Sequence, residues 1–169
     1  KSDTYNEDGK GLPLLNGASD FNNGRPTSGR YSSKPKRIAE KGEILLCTRG
    51  TIGHVSFADK DYCIGRGVSS MKPQDKIYKE YVYFTVKYYL EKLKREAAGS
   101  VIRGLTKSDM LNIPIVKCDK NIFEEFHNLM EPIINKQLTI IKEMSSLREL
   151  RDTLLPKLMS GEIRVTSEK

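Results

Sequence analysis

Apolar residues return at steps of four and three along the last third of the chain. From Ile122 they fall at Phe126, Leu129, Ile133, Ile140, Leu147, Leu150 and Leu154. This period predicts a long amphipathic helix over residues 121–158 with a coiled-coil-like seam, followed by a tail over 159–169. Such a helix cannot bury its stripe against itself, so it must lie against another helix or another chain. Lys136 and Glu143 interrupt the seam, whereas Met130, Ile134, Ile141 and Met144 widen the apolar face beside it. A widened face suits more than one neighbour better than a strict two-stranded zipper. Pro132 predicts a kink, or a short helix meeting a long one, because it removes a donor and crowds the preceding turn. Pro156 and Gly161 predict the end of the helix, the first by disfavouring helical geometry at Leu155 and the second by offering a left-handed stop.

Upstream the pattern shortens. Gly11 to Gly17, running on to Asp20 and Phe21, predicts a short strand leading into a loop, and residues 22–41, rich in Gly, Pro, Ser, Arg and Lys, predict an exposed loop. Glu43 to Thr48 is a buried-type strand that Arg49-Gly50-Thr51-Ile52-Gly53 turns back into a second, His54 to Phe57. Tyr62 to Ile64 and Val68 to Met71 predict two more strands around Gly65-Arg66-Gly67. Residues 78–98 predict a helix, with Tyr81, Phe84 and Tyr88 on one stripe and Val82, Val86, Tyr89 and Leu93 beside it. A loop, Ser100 to Lys107, then leads through a short helical turn into a strand, Ile113 to Val116. The fold class is α+β: a domain of short strands with one main helix over residues 1–120, then the long C-terminal helix.

Charge sharpens this division. Residues 1–120 carry 22 Lys and Arg against 14 Asp and Glu, and residues 121–169 carry 7 against 8. The excess positive charge therefore lies wholly on the domain, which reads as a polyanion-binding module with a neutral, apolar handle. A basic surface without a particular ligand stays open at this point. No apolar run is long enough to span a bilayer, and no hydrophobic signal segment opens the chain. The first residue is Lys1 within a polar stretch, which reads as the middle of a longer chain or a trimmed one. Cys47, Cys63 and Cys118 are odd in number and lack Cys-x-x-Cys spacing, which argues against a disulfide framework and against zinc and fits a reducing cytoplasm.

The segments GLPLLNGASDF, GEILLCTRGTIGHV, CIGRGVSSMKP and GSVIRGLTKSDMLNIPIV, and above all the closing LRDTLLPKLMSGEIRV, follow one another over nearly the whole chain. In this order they resemble the target recognition domain and following spacer helix of the specificity subunit of type I DNA restriction–modification systems. The terminal run is distinctive; the other four are moderately specific. The resemblance implies a non-catalytic subunit of a methyltransferase and restriction endonuclease complex. Members of the family usually hold two recognition domains, each reading one half of a split DNA target, with antiparallel helices fixing their separation. The helices also dock methyltransferase subunits, and the restriction subunits join through them. One domain and one helix resemble the C-terminal half of such a subunit, or a half-length version that pairs with a copy of itself. The family's domain normally opens on a further strand and loop that this chain lacks, which implies truncation at its N-terminus.

The residues agree on the absence of catalytic chemistry. There is no glycine-rich cofactor loop with an Asn/Asp-Pro-Pro-aromatic segment for gripping a flipped base, and no Gly-x-x-x-x-Gly-Lys-Ser/Thr. Gly65-x-Gly67-x-x-Ser70 has part of the outline of a dinucleotide loop but opens no helix. His54 reads as a strand surface residue and His127 as a helix-face residue, neither with metal-ligand spacing around it, so no cofactor and no metal are expected. Glu124 and Glu125 read as complements to the dipole of the long helix. Duplex DNA would be met by loops bearing side chains that reach base edges: Arg49 and Thr51 at the hairpin tip, Arg66 between its glycines, and Arg103, Thr106 and Lys107 after the main helix. Arg25, Arg30, Lys34, Lys36 and Arg37 could hold phosphates. Two other classes stay open, a basic protein-interaction adaptor and an RNA-binding module. The second is weakened because the aromatics concentrate at core-like spacing in the helix and Trp is absent.

Overall fold

Continuous apolar runs fold here as strands closed on both faces, and short polar turns join them. The computed structural model describes residues 4–22, 24–50, 53–96 and 104–164. Among these the strands are β1 (Tyr5–Asn6), β2 (Leu12–Leu15), β3 (Phe21–Asn22), β4 (Arg25–Pro26), β5 (Tyr31–Ser32), β6 (Ile38–Ala39), β7 (Ile44–Cys47), β8 (Val55–Phe57), β9 (Tyr62–Ile64) and β10 (Val68–Met71). The helices are α1 (Lys79–Glu96), α2 (Lys107–Leu111) and α3 (Lys120–Met159). The chain divides into two compact units, Lys1–Asn128 and Leu129–Lys169.

One sheet has the order β1-β5-β2-β9-β6, a second β10-β7-β8, and β3 pairs with β4 alone. β2 and β9 run parallel, with Leu14 opposite Cys63, and β7 is central in its sheet, antiparallel to both neighbours. All four residues of β7 and all three of β9 are buried, as their unbroken apolar sequences require. Leu15, Leu45, Cys47, Tyr62, Ile64 and Val68 form the core between them, with Phe21, Ala39 and Ala58. Each large aliphatic side chain so buried stabilises the domain by about 1.5–3 kcal/mol.

The stretch expected as one exposed loop, residues 22–41, instead supplies β4, β5 and β6, and Ser32 and Ala39 are fully buried within it. These strands are two residues long and take their order from pairing, β4 with β3, β5 with β2 and β6 with β9, which local periodicity does not register. The strand expected over Ile113 to Val116 is absent. Pro114 has no N–H to give a ladder, residues 114–117 are exposed, and only Ile113 points inward.

Asp75 accepts from the Ile77 amide (3.2 Å) and starts the 3-10 turn that runs into α1. Val86 and Leu90 make the buried face of α1, whereas Tyr88, placed by sequence on its stripe, is 67% exposed. The beginning of α3 packs on α1 through Phe123, which meets Tyr78 and Tyr81 edge-on at 5.0 and 4.9 Å. His127 is on the face of α3 that is buried, its Nδ1 2.6 Å from Oε2 of the equally buried Glu80. Glu124 and Glu125 lie past the first turn of α3, and Glu124 pairs instead with Lys120 at 3.5 Å.

α3 is one helix of 40 residues and contains both prolines. Pro132 removes a single donor and leaves the exposed Asn128 carbonyl to water, so no junction of a short and a long helix forms. Pro156 likewise lies inside the last turns rather than ending them. The stop comes at Gly161, whose φ of 75° belongs to the left-handed region, and its amide donates to the Leu158 carbonyl at 3.2 Å.

Candidate nucleic-acid interface

Four backbone hydrogen bonds knit the loops singled out by sequence into one surface. The amide of Gly65 donates to the Leu15 carbonyl (2.7 Å), that of Gly67 to Asn16 (3.1 Å), that of Thr48 to Gly67 (2.9 Å) and that of Leu105 to Thr48 (2.9 Å). Arg49 follows Thr48, Arg66 lies between the two glycines, and Thr106 follows Leu105. The end of β7, the turn between β9 and β10, and the approach to α2 are therefore neighbours. Residues far apart in sequence are joined through main-chain groups that any side chain could accompany, so no residue pattern announces the junction.

The glycines are required by proximity. A Cβ on Gly67 would lie 2.3 Å from the Asn16 carbonyl oxygen, and one on Gly65 2.1 Å from Asn16 Oδ1. Behind Asn16 stands Asp20, buried at 6% exposure, whose Oδ2 accepts from the amides of Asn16 (2.6 Å) and Gly17 (3.1 Å). Its other oxygen lies 3.7 Å from Arg30 Nη2. Asn16 and Asp20 were not among the candidate residues, although an Asn-Gly pair with an Asp three residues on is turn chemistry that signals such a clamp.

The hairpin tip is closed from within. The Cys47 thiol donates to the Arg49 carbonyl at 3.1 Å, and burial pushes that thiol above its ordinary range. Gly50 and Gly53, with φ of 81° and 104°, carry the reversal. Thr51 lies outside the described residues, as does Arg103. Thr106 caps α2: its hydroxyl accepts from the Asp109 amide (3.2 Å), and Asp109 Oδ2 accepts from the Thr106 amide (2.7 Å) and hydroxyl (2.8 Å). These bonds hold the Asp109 carboxyl below the usual carboxylate range. The Thr106 hydroxyl thus already has a structural task, and exposed Lys107 opens the helix beside it.

Arg49, Arg66 and Lys107 are exposed, and among the described residues no carboxylate lies within ion-pair distance of any of them. Arg37 joins this surface, Nη1 donating to the Gly65 carbonyl at 3.3 Å. Lys34 and Lys36 are exposed on the same segment, whereas Arg25 in β4 and Arg30 are half-buried. His54 stacks on Phe21 with ring centroids 5.7 Å apart. Among the described residues no three His, Cys, Asp or Glu side chains gather as metal ligands, and no helix is long and apolar enough to cross a membrane.

The expected helix-packing residues divide in two. Phe126 is committed to the domain, 6.2 Å edge-on from Phe84. Leu129, Ile133, Ile140, Leu147, Leu150 and Leu154 are all exposed, Leu147 by 64%. Between Leu147 and Leu158 the stripe forms a shallow apolar groove of about 290 Å³. So much exposed leucine on one face is the signature of an interaction surface.

A small α+β domain carrying a knitted basic surface and a long apolar-striped helix defines the class of protein. The chain belongs to the type I restriction modification DNA specificity domain family, whose model matches residues 1–146. It is 28% identical over 169 residues to a putative type I restriction enzyme MjaX specificity subunit of Methanocaldococcus jannaschii, covering 97% of this chain and 39% of that protein. It is 32% identical to the type I restriction enzyme HindI specificity subunit of Haemophilus influenzae, covering 79% of this chain and 29% of that protein. Among solved structures it resembles the HsdS subunit from Thermoanaerobacter tengcongensis, with a TM-score of 0.60, 28% identity, and coverage of 96% of this chain and 41% of that one. The chain spans about two fifths or less of the length of these relatives.

Proposed function

We propose that this chain is a non-catalytic DNA-reading module of a cytoplasmic type I restriction–modification complex. Its domain reads one half of a bipartite duplex target. Its helix pairs with another spacer helix, from a second copy or another part of a longer subunit, and docks methyltransferase subunits, through which restriction subunits join. The observation that carries this reading is the main-chain network that gathers Arg49, Arg66 and the Thr106-Lys107 turn onto one surface, where among the described residues none of these three cations is held in an ion pair. Such loops present cations to phosphates and forked donors to base edges. The exposed stripe from Leu129 to Leu158 supports the pairing role, since burying each leucine contributes about 1.5–3 kcal/mol.

Binding of the purified chain to a pool of short duplexes at graded salt tests the DNA reading. Each phosphate contact by a cation contributes a slope of about 0.9 in log K against log salt. The combined Arg49→Ala and Lys107→Ala variant is expected to bind more weakly with a shallower slope. A steep wild-type slope that the variant leaves unchanged would remove this surface from the interface. Binding that does not respond to salt would favour an adaptor for another protein.

A further inference from the structure

We infer that Arg66 is a specificity-determining residue that reads a guanine edge in the major groove, rather than a phosphate. This deepens the DNA-reading role proposed above and rests on it. The main-chain groups on both sides of Arg66 are taken by separate segments. The Gly65 amide is held by Leu15, its carbonyl accepts from Arg37 Nη1 (3.3 Å), the Gly67 amide is held by Asn16, and its carbonyl accepts from Thr48. Neither glycine needs a left-handed φ. At Gly67 a Cβ would meet the Asn16 carbonyl oxygen at 2.3 Å, and at Gly65 it would meet the Asn16 side chain at 2.1 Å with the Asn16 backbone at 3.1 Å behind it. The turn therefore has no slack in either direction, and the Arg66 Cα is fixed while its side chain stands exposed.

That combination suits a base contact better than a phosphate contact. A phosphate accepts a cation over a wide range of positions, and the exposed lysines of residues 34–36 meet that need on flexible stems. A bidentate contact to guanine O6 and N7 asks for a planar fork held to a fraction of an ångström, which only a rigid backbone supplies. No acid among the described residues competes for the guanidinium.

The test is selection of bound sequences from a randomised duplex library by the purified chain and by Arg66→Ala and Arg66→Lys variants, with the salt slope of each. Arg66 is exposed, so both variants retain the fold. Arg66→Ala is expected to lose the guanine preference at one position of the selected site, discrimination there falling by about 5- to 150-fold. The salt slope should change by less than about half a unit. Arg66→Lys, which keeps the charge and loses the planar fork, should weaken the same preference while leaving the salt slope unchanged. A uniform weakening on all sequences with a slope lower by about one would make Arg66 a phosphate contact and overturn the inference. An unchanged site and slope in Arg66→Ala would overturn it as well. Salt-independent binding by the wild-type chain would overturn the DNA reading itself, and this inference with it.

Discussion

At Asp20 a carboxylate gives up water for two backbone amides, with Arg30 only at its edge. Asp20→Ala would leave the Asn16 and Gly17 amides without an acceptor, and Asn16 is the residue against which the Gly65-Arg66-Gly67 turn is seated. The expected cost is about 1–3 kcal/mol of stability, read as a lower urea midpoint. DNA selectivity should fall in parallel, because the turn carrying Arg66 loses its seat. An unchanged midpoint would show that Asp20 does not hold the turn. At this scale the sequence announced the exposed cations and missed the groups behind them. Arg49 and Arg66 stand out as charges beside glycines, whereas Asn16, Asp20 and Thr48 act through main-chain bonds, and those depend on which loops meet. His127 was missed for a related reason: its partner Glu80 lies 47 positions away, and two polar residues on separate helices carry no period that pairs them.

At the scale of elements, the long runs were legible and the two-residue ones were not. β7, β9 and β10 follow from unbroken apolar or alternating segments, and α3 from a period sustained over 40 residues. β5 and β6 exist because β2 and β9 offer them ladder positions, and β4 because β3 does, a tertiary cause. Pro156 misled because one missing donor in a final turn is tolerated where neighbouring bonds remain, and Gly161 sets the boundary instead. The open stripe of α3 carries its own prediction. Leu147→Asp and Ile140→Asp place a charge where pairing would bury it, so each should abolish self-association and methyltransferase capture while circular dichroism shows the domain still folded. Sedimentation and pull-down behaviour like the wild type in both variants would show that α3 is not the docking surface.

Over the whole molecule, charge and apolar surface are separated along the chain: the excess Lys and Arg fall within residues 1–120, and the stripe falls on a helix that is nearly neutral. The exposed residues of the stripe, Leu129 to Leu158, lie outside the basic segment that carries the candidate loops. On the proposed function, residues 1–120 choose the DNA sequence. The most direct measurement is co-expression of the chain with an adenine methyltransferase subunit of a type I system, followed by sequencing of the methylated positions in host DNA, for the wild type and for a variant with residues 1–120 exchanged for those of another family member. The expected result is a two-part methylated motif, one half of which changes with the exchange while the other half and the spacing persist. A folded protein that captures the methyltransferase, yet yields the same motif after the exchange, would contradict it.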